Sequence, residues 1–297
     1  MKQVIFSRWV LIVFLLVSTA CSGEKQSPTG APTTAPVENL PTPESTATVI
    51  SGTETPLASS TPSAADTEIS SSPTEAVSLF TDADGTYRVN LTPADFVEVV
   101  DNPYFPLPIG AKWVYEIRQG NKPPQTDTLE VQKEKRQVNG IQATVVRDTV
   151  SSGNQIVEDT YDWFVQDKYG NVWYVGEEVD NYVAGVLVNH SGSWEWGVDG
   201  AQPGIIMWAD PAAHLNEKYR QEYYAGKAED MGQVLSVDES LTVPFGSFDR
   251  VVKTLDFSNI EAGQEQKFYA PGIGLLKEMD VNGNEEVVLM DFAQPPQ

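Results

Sequence analysis

The chain is 297 residues long and 40% hydrophobic, and its 42 acidic residues outnumber 19 basic ones, giving a formal net charge of −23. A surface this acidic repels phosphate backbones and anionic headgroups, which makes nucleic acid a poor partner and argues against direct adhesion to an anionic bilayer. The single cysteine excludes an intramolecular disulfide, so any folded part is held together by its core alone.

The first element is an address. Lys2 and Arg8 precede the apolar run Trp9–Val17, which is followed by Ser18-Thr19-Ala20-Cys21. A basic n-region, a short h-region and small residues before a break form a secretory signal. The h-region is too short to span roughly 30 Å of hydrocarbon. Its ending resembles a bacterial lipobox, although Ser18 stands where that pattern prefers Leu. The resemblance implies cleavage after residue 20 and a diacylglyceryl, palmitate-bearing Cys21 as the membrane anchor. The protein would then sit on the extracytoplasmic face of the cell membrane, or on the outer membrane of a two-membrane host, which Ser22 would suit. The alternative is an ordinary signal cut near Ala20, with Cys21 left as a free thiol.

Residues 21–79 read as a tether. They are crowded with Ser, Thr, Pro and Ala, and no aromatic residue appears between Cys21 and Phe80. Such composition cannot bury enough apolar surface to offset backbone ordering. As a coil it would span on the order of 40 Å.

Residues 80–297 form the folded domain, which is long enough for one sizeable core. It holds six of the seven tryptophans and a net charge of about −19. Short β-branched and aromatic runs cut by turn residues predict a mainly β domain. A single antiparallel, curved sheet is expected, closed as a barrel or folded as a sandwich. In chain order, Thr92 with Pro93 and Asp95 opens a short helix to about Val100. Strands follow at Trp113–Ile117, Leu129–Lys133, Ile141–Val150, Tyr161–Gln166 and Val172–Val175, with the last two joined through Gly170. A second short helix is expected at Pro211–Glu217. Further strands are placed at Tyr219–Tyr224, Leu235–Val243 and Phe248–Phe257. A closing hairpin pairs Leu275–Val281 with Glu286–Phe292 through Asn282-Gly283.

Several of these segments carry a resemblance. Asn102-Pro103-Tyr104-Phe105-Pro106-Leu107-Pro108-Ile109-Gly110 through Glu116 resembles the opening of an uncharacterised group of bacterial lipoproteins and secreted proteins. Glu158–Trp163, Asp167–Glu177, Tyr219–Tyr224 and Ala270–Gly274 share that likeness. It implies an autonomous exported domain and no particular reaction. A weaker resemblance, in architecture alone, is to half-barrel envelope lipoproteins that wrap a curved antiparallel sheet around a helix or an apolar ligand.

The search for catalytic motifs is negative. No Gly-x-Ser-x-Gly, His-Glu-x-x-His or phosphate loop occurs, and His190 and His214 are the only histidines. Both read as surface residues. Asp82-Ala83-Asp84-Gly85 fails as a calcium loop because position twelve is Pro93. Glu177-Glu178 with Asp180, and Glu229-Asp230, read as solvated charge or partial oxygen sites. No cofactor and no metal site is implied.

Aromatic residues are the remaining handle. Trp163 and Trp173 lie on the two arms of one hairpin. In a strand, Trp194 and Trp196 would share a face. Trp163, Trp173, Trp194, Tyr223 and Tyr224, with Asp162, Glu177 and Glu222 to fix orientation, form the expected ligand face. The expected function is a binding or scaffolding module for a lipid or other apolar molecule. The alternatives are a carbohydrate or cell-wall module using exposed tryptophans, and a hydrolase using paired carboxylates. Oligomeric state is left open.

Overall fold

The computed structural model describes residues 87–295. The signal, Cys21 and the tether lie outside the described residues. Sixteen strands follow in chain order. The first half holds β1 (Phe96–Val97), β2 (Lys112–Gln119), β3 (Gln125–Val138), β4 (Ile141–Ser152), β5 (Gln155–Asp167), β6 (Val172–Val183), β7 (Val186–Asn189), β8 (Trp194–Glu195) and β9 (Gln202–Met207). The second half holds β10 (Lys218–Arg220), β11 (Glu222–Tyr223), β12 (Asp230–Val243), β13 (Gly246–Ser258), β14 (Gln264–Ala270), β15 (Gly274–Asp280) and β16 (Glu285–Ala293).

The strands pair antiparallel in the order β10-β12-β13-β14-β15-β16-β2-β3-β4-β5-β6-β9-β11. Each neighbour is nearly always the next strand in sequence, so tight turns do most of the connecting. Asn139-Gly140, with φ of 45° and 85°, makes the β3–β4 turn, and Gly283, at φ 72°, makes the β15–β16 turn. β16 returns to pair with β2, from Glu285↔Gln119 to Ala293↔Lys112.

The two ends of this path are consecutive in the chain. β10 pairs with β12 through Tyr219↔Gly232, and β11 pairs with β9 through Glu222↔Pro203. Only Gln221 separates β10 from β11. One bent segment therefore bridges both edges and brings the sheet round to a nearly closed barrel, beyond the half-barrel that the weaker resemblance implied. Closure removes the edges that an open sheet would expose.

Alternation decides what faces inward. In β2, Trp113, Tyr115 and Ile117 are buried while Val114 and Glu116 are half-buried. Phe105 packs against Phe164 of β5 (ring centroids 5.2 Å apart) and against Tyr269 of β14 (6.5 Å), joining distant parts of the wall. Phe164 stacks on Tyr174 at 5.1 Å. The face holding these rings is the barrel interior.

Both expected helices are single 3-10 turns, Pro93–Asp95 and Pro211–His214. The start signal at Thr92 is genuine, because the Asp95 carboxylate accepts hydrogen bonds from the Thr92 backbone N–H and hydroxyl. The turn stops because Phe96 and Val97 go extended to pair with Asp167 and Gln166 of β5. Strands β9 and β14 were not expected. Both lack clean alternation, since β9 is buried along nearly its whole length and β14 carries charge on its inner face.

Candidate functional site

The site is a wall of buried carboxyl groups on the interior beside the closing segment. Register sets its rows. Asp162 of β5 pairs with Glu177 of β6, which pairs with Trp194 of β8. Across the seam, Asp256 pairs with Glu265, and Lys267 pairs with Thr254 and Glu278. Glu222 on the closing segment and Asp230 at the start of β12 complete the set, and all these side chains are buried.

Asp256 is the best-served carboxylate. It accepts from Gln221 Nε2 at 3.0 Å and Thr254 Oγ1 at 2.8 Å, and its Oδ2 lies 3.3 Å from Lys267 Nζ. Lys267 Nζ lies 3.4 Å from Glu278 Oε2. Burial alone would pull the Lys267 ammonium down, but Glu278, Asp256 and Glu265 outweigh it and hold its pKa above the usual lysine value.

Around that ion cluster sit two carboxyl pairs. Desolvation pushes Glu222 well above the carboxylate range, and the neighbouring Asp230 and Glu177 charges push it further. Asp230 is raised to about 6 by burial, with the hydrogen bond from Glu222 acting against that rise. Burial and these neighbours thus favour the protonated form of Glu222 beside Asp230. The Trp194 indole N–H donates toward Glu222 and acts against its rise, but does not outweigh the burial. In the second pair, desolvation and then the Glu278 charge raise Glu265 in the same way. Nearer β5, Tyr174 Oη donates to Asp162 Oδ1 at 2.6 Å, and Trp194 packs edge-on to Tyr174 at 5.4 Å.

Of the eight residues expected to form one ligand face, Asp162, Glu177, Trp194 and Glu222 meet on this interior wall. The other four do not. Trp163 neighbours Asp162 in the strand and points the opposite way, under the Arg136 guanidinium at 4.6 Å. Trp173 is sealed on that same outer face and donates to Asp167 at 2.9 Å. Tyr223 packs outside against Tyr87 (5.8 Å) and Arg220 (4.5 Å). Tyr224 donates to Asp199 at 3.2 Å. Trp194 and Trp196 meet different partners, because β8 ends at Glu195 and Trp196 turns to Phe96.

The partial oxygen sites separate for the same reason. Glu177 faces inward while Glu178 is exposed, and Glu229 leans toward Arg220 at 3.6 Å while Asp230 faces the interior. His190 sits 2.7 Å from Asp180, and His214 stacks on Trp208 at 3.8 Å. Among the described residues no group of three or more metal-ligating side chains forms a metal site.

Sequence reasoning missed Asp256, Glu265, Lys267, Glu278, Gln221 and Tyr174, and named Asp230 only with Glu229, as solvated charge or a partial oxygen site. A signal was present. In Glu265-x-Lys267-x-Tyr269 and Thr254-x-Asp256 the charges fall in phase with buried positions, where a half-solvated strand would carry apolar residues.

Every tryptophan among the described residues is buried, so the exposed platform expected of a sugar-binding module is absent from them. A shallow apolar cleft lies at the Phe105 end, lined by Phe105, Leu107, Trp113, Leu129 and Ile273. It has about 280 Å³ of free space, part of it open solvent. Glu222 and Asp230 share a hydrogen bond, closer than the roughly 5–5.5 Å that retaining glycosidases leave between their carboxyl groups.

No protein-family model matches the chain, and no curated protein matches it. The family expected from Asn102–Glu116 and its companion motifs therefore has no matching model behind it. A solved structure similar to this chain is that of a "putative lipoprotein" from Parabacteroides distasonis, 14% identical, covering 65% of this chain and 99% of that one at a TM-score of 0.32. Overlap at that level adds nothing to the fold read from the strands. No helix among the described residues is long and apolar enough to cross a membrane.

Proposed function

We propose that this is an exported, lipid-anchored envelope protein whose barrel binds a small ligand bearing a positive charge, such as an alkylammonium group. The observation that carries the reading is Glu222, buried to 2% exposure beside the carboxyl groups of Asp230 and Glu177 and against the Trp194 indole. Burying a carboxyl among other carboxyls is costly unless it keeps its proton or gains a cation. A cationic ligand would displace that proton, pair with the carboxylates and lie against an aromatic ring. The net charge of −23 favours drawing such a ligand in.

This reading replaces the apolar ligand expected from sequence. An interior wall built of carboxyl groups makes a poor seat for an acyl chain, and the apolar cleft is small. The anchor rests on Cys21 and the residues before it. Cys21→Ser should move the protein to the soluble fraction, because stable attachment requires the acyl chains. Native mass spectrometry on protein purified from its own membrane tests the ligand class. A co-purifying amine supports the reading, and a co-purifying phospholipid or glycan overturns it.

A further inference from the structure

The β6–β7 hairpin projects an apolar tip. Ala184 (φ 51°) and Gly185 (φ 77°) turn the chain back on itself, so that Val183 pairs with Val186 and Tyr182 with Leu187. Val188 is the extra residue of a bulge, and Asn181 Nδ2 bonds Asn189 Oδ1 at 3.0 Å across the neck. Val183 is 49% exposed, Val186 64%, Leu187 44% and Val188 51%. Ile156 of the adjoining strand is also exposed. No charged residue occurs from Asn181 to Asn189, on a chain that carries 61 of them. Exposed aliphatic side chains gathered this closely mark an interaction surface.

We infer that this tip touches the surface of a lipid bilayer. Two features choose lipid over a protein groove. The pairs Val183–Val186 and Tyr182–Leu187 alternate in the ladder, so apolar groups stand on both faces of the hairpin. A groove covers one face, whereas lipid surrounds both. The charge-free tip is also the part of an acidic barrel that headgroups repel least. Among the described residues β7 pairs with β6 alone, which leaves the backbone groups of its outer edge without a strand partner there. Those groups would go unsatisfied in hydrocarbon, which limits the tip to the interfacial layer.

The inference rests on the anchored reading for its bilayer. Tyr87 bonds Pro203 near the β9 end of β6, and Gly204 pairs with Tyr174, nine residues from Val183. That separation is about 30 Å along the strand. Cys21 and Tyr87 lie 66 positions apart, so the contour length of the intervening chain exceeds the distance several-fold.

The test uses the full chain with Cys21→Ser, so that no acyl chain contributes and the outcome does not depend on the anchor. It is floated with vesicles of pure phosphatidylcholine and, separately, with vesicles containing half phosphatidylglycerol at low salt. The expected result is flotation with the first and weaker flotation with the second. The pair Leu187→Asp with Val188→Asp should cut recovery roughly tenfold while leaving the thermal midpoint unchanged. Absence of flotation with phosphatidylcholine, or equal flotation of the double variant, overturns the inference. So does a parent chain that sediments as a dimer which the double variant converts to monomer, because the tip would then be a contact between copies.

Discussion

The Lys267 ammonium stands 3.3 Å from the Asp256 carboxylate and 3.4 Å from that of Glu278, and Lys267 is itself only 1% exposed. An ion cluster so buried is retained only because each charge offsets another. Lys267→Met should therefore cost about 3–5 kcal/mol by leaving two carboxylates uncompensated. Adding Asp256→Asn should cost less than the sum of the two single changes, because the stranded charge goes with it. Urea unfolding of the four chains measures this coupling.

Stability should peak on the acid side of neutrality. Asp230 titrates near 6 in the fold and Glu261 near 7, both raised first by desolvation, and Glu222 and Glu265 are raised further. The folded chain thus holds these protons more tightly than the unfolded chain. The stabilisation is present below about pH 4 and is lost as pH rises through 6 to 7. Asp95 works the other way. The Lys168 hydrogen bond and then the Thr92 N–H hold it at about 2, so its contribution is present above pH 4 and lost as pH falls toward 2. Calorimetry at pH 4.5 should give a melting temperature several degrees above that at pH 7.5. Glu222→Gln should flatten that slope.

The seam depends on two close approaches that only glycine allows. A methyl group on Gly204 would lie 2.3 Å from the Gln221 carbonyl carbon and 2.5 Å from the Arg220 oxygen, both backbone atoms of the closing segment. On Gly232 it would meet the Tyr219 ring at 2.5 Å. Either alanine should destabilise by about 1–3 kcal/mol, with Gly204 at the upper end. Tyr219→Ala should partly rescue Gly232→Ala, because the obstacle is a side chain. It should not rescue Gly204→Ala. Thermal midpoints of the single and double variants decide this.

The fold was legible where alternation was clean. Trp113-x-Tyr115-x-Ile117 alternates as a half-buried strand does, and Asn282-Gly283 marks the turn it makes. The first helix stops at one turn: Thr92 and Asp95 do cap it, and nothing local reveals that Phe96 is claimed by β5. The site was half legible. Asp162, Glu177, Trp194 and Glu222 were named, but neighbours in a strand were grouped with them as one face. Lys267 escapes notice because a lysine in the polar run Gln264-Glu265-Gln266-Lys267 reads as solvated until its position in the barrel is known.

The central claim is that the Glu222 wall takes up a cation in exchange for a proton. Isothermal titration with spermidine at pH 5.5, in two buffers of different ionisation enthalpy, tests it most directly. The expected result is binding with net release of about one proton, weakened at least tenfold by Glu222→Gln. Binding that releases no proton, binding that Glu222→Gln leaves unchanged, or no binding at all would contradict it.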